Sequence, residues 1–251
     1  MTTPLQPQHD PGPPPEWEEI FAAAPLDTYV NATGAPFHTR FGPVFYRGRL
    51  DGTARVLVVG QDPSTDETLA GRILVGQAGQ ITQHFLAKLG LTRSYLMFNT
   101  FLYGVQSGAI TPALVNDPDI QTFRNQLFDA AKATNPLTAV LAFGLKAQDS
   151  VAAWPGVGTL PVIELTHPTS PTGVAQSWNL KLPDAIAATG PDADGTVDTT
   201  PFDTAAEDMP TTDIPRFDLP FGTPPWHGTG GRTSSQRVSG AFETEIRWTA
   251  P

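Results

Sequence analysis

Short uninterrupted apolar runs punctuate the middle of the chain, and stretches with helical spacing separate them. The first run, Val56-Leu57-Val58-Val59, has no polar alternation, the pattern of a strand buried on both faces of a parallel sheet. Residues 94–101 (SYLMFNTF) read as a second strand ending at Asn99, residues 138–143 (TAVLAF) as a third and residues 161–166 (PVIELT) as a fourth. Between them, Ile81, Phe85 and Leu89 share one face of a helix that follows the glycine turn at Val75–Gln80. Ile120, Phe123, Leu127 and Ala131 share a face of a helix over Pro118–Thr134, with Asp117 as its cap. Gly144 opens a further helix, LKAQDSVAAW, and a last one is predicted over Ser177–Ala188. Ahead of the strands, EWEEIFAAA (Glu16–Ala24) reads as a short helix bounded by prolines, and PVFYRGRL as an edge strand or loop. Strands alternating with helices predict an α/β fold, a three-layer α/β/α sandwich around a central, mostly parallel four-stranded sheet.

The ends of the chain lack this alternation. Residues 1–15 are proline-rich and read as a flexible extension, which leaves 16–189 for the folded α/β domain. Residues 190–213 are rich in Pro, Gly, Asp and Thr and read as a disordered acidic linker. Residues 214–251 carry Phe217, Leu219, Phe221, Trp226, Phe242, Ile246 and Trp248, too many hydrophobes to leave in water, and are expected to pack on the core as an extended strap.

The net charge of −10 argues at face value against a nucleic-acid partner. Residues 184–220, however, hold nine acids against Arg216 alone, so that segment carries −8 and the body is near neutral. The absence of cysteine excludes disulfides, iron–sulfur clusters and thiolate zinc sites, and His9, His38, His84, His167 and His227 lack metal-ligand spacing. No cofactor is expected. No apolar run approaches the roughly 20 residues of a membrane-spanning helix, and the N-terminus does not read as a secretory signal, so a cytoplasmic location is expected.

Three predicted strands end in polar residues of different kinds: Asp62 follows the first in Gly60-Gln61-Asp62-Pro63, Asn99 ends the second, and His167 follows the fourth. Carboxyl ends of parallel strands converge on one crevice, where open α/β sheets bind ligands. A carboxylate can deprotonate water or stabilise a developing cation, an Asn amide can read an imide edge, and a histidine can donate to a forming oxyanion. Together they suit N-glycosidic cleavage of a nucleobase. Taken singly, each has a plainer reading: Asp62 as a turn acid, Asn99 as a satisfied loop amide, His167 as a surface histidine. Arg40, Arg47 and Arg49 likewise read either as solvated surface or as phosphate contacts beside the crevice.

The GQDP of Gly60–Pro63, the strand ending in Asn99 and the HPTSP of His167–Pro171 resemble the signature motifs of the uracil-DNA glycosylase superfamily. Gly71–Gln80 (GRILVGQAGQ) is similar to the GRPFVGRAGQ stretch of its bacterial and archaeal branches. The resemblance covers roughly residues 36–188. It implies that Asp62 orients the hydrolytic water and stabilises an oxocarbenium-like sugar, that Gln61 presents its backbone N–H or holds the water, and that Gly60 belongs with it to the substrate-binding residues. It implies that Asn99 pairs with the uracil imide edge and that His167 donates to uracil O2. Pro63, Ser64, Ser170 and Pro171 would belong to loops that pinch the DNA backbone around a flipped nucleotide. The chain departs from the family where Ser64 and Thr65 follow Pro63 in place of Tyr-His, which leaves room for other deaminated bases. The stacking phenylalanine of GRPF corresponds to Leu74, so Phe98 and Phe101 are candidates to stack instead. HPTSPTGV carries no intercalating leucine.

The function implied is a monofunctional glycosylase acting as a monomer on single- or double-stranded uracil-containing DNA in the cytoplasm or nucleoid. No lysine at the motif positions supports a lyase step. Two alternatives stand beside it: an N-glycosidic hydrolase of free nucleosides or nucleotides, and a non-catalytic uracil-DNA-binding module. The strap residues Arg232, Ser234, Ser235 and Arg237 read either as phosphate contacts or as part of an ordered cover.

Overall fold

The computed structural model describes residues 8–106, 111–224 and 227–230. Its centre is a five-stranded sheet in the order β1-β3-β2-β4-β5. The strands are β1 (Arg47–Gly48), β2 (Val56–Gly60), β3 (Tyr95–Asn99), β4 (Ala139–Phe143) and β5 (Val162–Leu165). β2 to β5 are the four predicted strands and pair in parallel. The fifth, β1, comes from the stretch read as an edge strand or loop and runs antiparallel to β3, which corrects the expected strand count.

The helices are α1 (Pro15–Ala22), α2 (Leu26–Val30), α3 (Thr65–Ala70), α4 (Gln77–Lys88), α5 (Pro112–Val115), α6 (Pro118–Thr134), α7 (Leu145–Ala152) and α8 (Val174–Thr189). Asp117 caps α6 as expected, its side chain accepting from the backbone N–H of Asp119 and Ile120. Because side chains alternate across a strand, the sheet sorts its residues into two cores. Leu57, Val59, Leu96, Phe98, Val140 and Ala142 face α1, α2, α6 and α7. Val56, Val58, Met97, Leu141 and Phe143 face α4 and α8, where Trp178, Phe85 and Phe143 pack edge to face. That is the three-layer sandwich.

The chain leaves β2 towards β3 on one side and reaches β4 on the other. The carboxyl ends of β2 and β4 therefore flank the point where strand order reverses. This is where a doubly wound sheet opens a crevice.

The segments expected to be loose are held. Asp10, inside the predicted flexible extension, is buried; it pairs with Arg72 Nε at 2.7 Å and accepts from the Tyr46 hydroxyl. Residues 190–213 have irregular backbone, yet they are not a disordered linker. Phe202 is buried against Phe85 and Trp178, and Lys88 donates to Asp198. Asp192 accepts from the successive backbone N–H groups of Thr92, Arg93 and Ser94, from the Ser94 hydroxyl and from Arg55. Burial opposes ionisation of Asp192, but these donors outweigh it and hold its carboxyl well below the usual carboxylate range. An acid whose folded pKa is depressed contributes stability that is present above its unfolded pKa and fades as pH falls through the folded value. Asp192→Asn is therefore expected to lower the Tm at pH 7, with the gap from wild type constant down to about pH 4 and narrowing only as melts are carried below that, towards the depressed folded value. A gap that stays constant there as well would assign the loss to packing instead.

The described residues beyond 213 touch the α/β domain at a few points. Ile214 and Leu219 are buried in a small cluster with Ala70 and Val75. Phe221 does not join it and is 88 % exposed, because the chain turns at Pro220–Thr223 before the ring reaches the core. Trp226, Phe242, Ile246, Trp248, Arg232, Ser234, Ser235 and Arg237 lie outside the described residues. No helix among the described residues is long and apolar enough to cross a membrane.

Candidate active site

A cavity of about 440 Å³ opens at the predicted crevice, a size suited to a small-molecule or nucleotide site. Gly60, Gln61 and Asp62 wall it from the end of β2, Phe143 from the end of β4, and His167, Pro168 and Thr169 from the end of β5. Leu74, Gly76, Gln77 and Ala78, leading into α4, also line it, as do Ser64 and the first residues of α3, Thr65 to Glu67.

Asp62 is half-buried. Its Oδ2 accepts from Val105 N–H at 2.8 Å and its Oδ1 from Gln61 Nε2 at 2.9 Å. Burial raises its pKa above the usual carboxylate range, and the two hydrogen bonds only partly counter this. A carboxyl held this way is fixed in direction and more basic than a surface aspartate.

Asn99 sits at the last register position of β3, directly across from Gly60 of β2. It is 3 % exposed, yet neither its Oδ1 nor its Nδ2 has a hydrogen-bond partner. Leaving a buried amide unmatched costs about 1–3 kcal/mol, so an orphaned one calls for a specific explanation. A Cβ placed on Gly60 would overlap Asn99 Oδ1 and come within 3.6 Å of Leu74 Cδ1. Glycine at position 60, itself a lining residue, thus leaves the space that the Asn99 amide occupies behind the cavity wall.

His167 follows β5 beside Gly144, whose absent side chain leaves room for the ring: a Cβ there would stand 3.1 Å from His167 Cβ. Thr169 N–H donates to His167 Nδ1 at 3.3 Å, which leaves the ring proton on Nε2. Burial lowers its pKa, so the ring stays neutral around neutral pH. The site therefore combines a raised carboxyl, a neutral imidazole donor and an unpaired amide.

The glycine turn is built around Leu74, a non-glycine residue with φ of 52°, a backbone state that costs about 1–2 kcal/mol for an L-residue. Three features hold it. Arg47 Nη1 donates to the Leu74 carbonyl at 2.5 Å, Glu67 Oε1 accepts from Val75 and Gly76 N–H, and Gly79 leaves space that a Cβ would take from the Leu74 carbonyl. Glu67 also closes a capping box with Ser64, so one buried carboxylate ties the Asp62 loop to the glycine turn. Strain stored at a cavity wall is where functional sites keep it.

The expected residues divide accordingly. Gly60, Gln61, Asp62, Ser64, Leu74 and His167 line the cavity, and Asn99 lies behind Gly60. Phe98 and Phe101 are not at the cavity: they are fully buried on the opposite sheet face, Phe98 against Trp17 and Phe128 and Phe101 against Phe37. The period-2 alternation that turns Asn99 one way turns Phe98 the other. Phe143, on the correct face, is the aromatic the sequence reading missed; its position as the last residue of AVLAF was the available signal. Glu67 was also missed, although Ser64-x-x-Glu67 is a capping-box pattern. Pro63 is buried behind the loop, while Pro171 is exposed and Ser170 half-exposed on the rim. Arg47 and Arg49 are neither solvated nor facing the crevice mouth: Arg47 is fully buried and Arg49 donates to Asp218. Arg40 is exposed.

Comparison with curated proteins found no match. The family comparison agrees with the geometry: residues 47–189, more than half of the chain and the span holding every strand of the sheet, match the uracil DNA glycosylase superfamily, and the protein belongs to it.

Proposed function

We propose that the protein is a monofunctional DNA glycosylase that hydrolyses the N-glycosidic bond of uracil flipped out of DNA. The observation that carries this reading is the orphaned Asn99 amide, buried behind Gly60 with donor and acceptor both unmet. An imide edge offers a matching N–H and C=O, so a uracil ring would satisfy both at once.

In this mechanism the base enters between Leu74 and Phe143 and pairs with Asn99. Asp62, ionised and oriented by Gln61 and Val105, polarises a water towards C1′ and stabilises positive charge growing on the sugar. His167 donates its Nε2 proton in a hydrogen bond to uracil O2 as negative charge collects there. A neutral donor is apt because the leaving group needs a hydrogen bond rather than full protonation. Ser64, Ser170 and Pro171 on the rim meet the backbone of the flipped strand. With the position after Pro63 held by Ser64, a small exposed side chain, other deaminated bases are admitted alongside uracil.

The test is excision from labelled oligonucleotides carrying one U, T or hypoxanthine, single- and double-stranded, with chelator present. Release of uracil leaving an intact abasic strand is expected. Cleavage of free nucleosides but of no polymer would replace this reading with a nucleoside hydrolase, and tight binding without turnover would make the protein a binding module.

A further inference from the structure

The described residues from 190 onwards lie outside the matched span of 47–189, yet part of them reaches the cavity wall. Asp218, in the strap, is fully buried between three groups: it accepts from the Tyr95 hydroxyl at 2.8 Å and from Arg49 Nη2 at 2.5 Å, and its Oδ2 stands 3.7 Å from Arg47 Nε. Arg47 is itself fully buried and spends its two remaining nitrogens elsewhere. Nη2 donates to Gln83 of α4 at 2.9 Å, and Nη1 donates to the Leu74 carbonyl at 2.5 Å. A buried guanidinium is costly unless its charge is compensated, and Asp218 is the carboxylate facing it. The Leu74 carbonyl it grips belongs to the residue with φ of 52° whose side chain reaches Gly60 beside Asn99.

We propose that Asp218 is a positioning residue for the active site. Acting through Arg47, it holds Leu74 in its left-handed conformation and so keeps the wall that presses a base against Asn99. The strap is in this sense part of the pocket. Its other anchors converge on the same wall: Leu219 and Ile214 pack on Val75 and Ala70, Thr212 N–H donates to the Gln80 carbonyl, and Gly228 fits against Ile214 and Val75. The role of Leu74 in gripping the base rests on the glycosylase reading above; the coupling of Asp218 to Leu74 does not.

The experiment uses the full chain, Asp218→Asn and, as a second variant, Arg47→Lys. The asparagine keeps the shape and an acceptor but removes the charge, and lysine keeps the charge but loses the fork that reaches Leu74 and Gln83 together. Amide hydrogen exchange is read at Val75 and Gly76, which follow Leu74, and at Val58 in the central strand. Both variants are expected to speed exchange at Val75 and Gly76 about tenfold or more relative to Val58. On uracil-containing oligonucleotides they are expected to raise KM about fivefold, the scale of one weakened hydrogen bond, with kcat changed less than twofold. Exchange that rises equally at all three amides, or at none, overturns the proposal. So does an unchanged KM in a variant whose Val75 and Gly76 amides have loosened, since Leu74 then moves without effect on the base. Should wild type excise nothing, the glycosylase reading fails while the exchange comparison still decides the coupling.

Discussion

Asp62→Asn is expected to lower uracil excision by at least about 10²-fold while leaving DNA binding within a few fold. A positioned general base contributes about 10²–10⁴ in rate, and the amide keeps the shape and part of the bonding to Gln61 and Val105. Single-turnover kinetics with a binding measurement on the same duplex checks this; a wild-type rate removes Asp62 from the chemistry. The pH profile carries a second sign. Because burial raises the Asp62 pKa, the acid limb of the wild-type rate profile lies above the usual aspartate range, and activity falls as pH drops through it. Stability moves the other way. An acid whose folded pKa lies above its unfolded one opposes folding once ionised, fully above the folded pKa and not at all below the unfolded one. Asp62→Asn is therefore expected to raise the Tm at pH 7 and to match wild type near pH 3. Opposite signs for rate and for stability in one variant are what a buried carboxyl kept for function predicts.

Asn99→Asp is expected to cut uracil excision by about 10–10²-fold, corresponding to roughly 1–3 kcal/mol for a buried polar pair left mismatched. The carboxylate has no donor for the uracil carbonyl and instead favours an exocyclic amine, so the ratio of uracil to cytosine excision falls as well. The two ratios are measured in one competition assay on otherwise identical oligonucleotides. Loss of rate with an unchanged base ratio would mean that the imide edge is read elsewhere and that the orphaned amide serves another purpose.

Much of this site was legible in the chain before any tertiary information. The uninterrupted run Val56–Val59 announced a strand covered on both faces, and the GQDP and HPTSP motifs placed Asp62 and His167 at strand ends. Side-chain alternation separates Phe98 from Asn99, so that half of the stacking assignment was correctable from parity; Phe101 shares the parity of Asn99 but lies beyond the end of β3, and only the fold carries it to the opposite face. The acidic segment was misread for a different reason. Composition counts Asp192, Asp198 and Asp218 as solvated charge, but each of them has a specific partner supplied from far along the chain: Thr92–Ser94 with Arg55, Lys88, and the group of Arg49, Tyr95 and Arg47.

By itself the sequence determined what is local: the strand and helix periods, the capping of α6 by Asp117, the glycine turn, and the identity of the chemical groups at each strand end. These follow from side-chain period and backbone preference within a few residues. The tertiary structure alone decided which strand ends meet. Asn99 lies across from Gly60 because β2 and β3 pair in parallel across a crossover, and Phe143 enters the cavity because β4 takes the other side of β2. It also decided that a carboxylate at position 218 supports a strained backbone at position 74. Such pairings depend on which buried charges and amides are left to satisfy once the layers have packed, a condition set by the whole fold and not by any window of the chain.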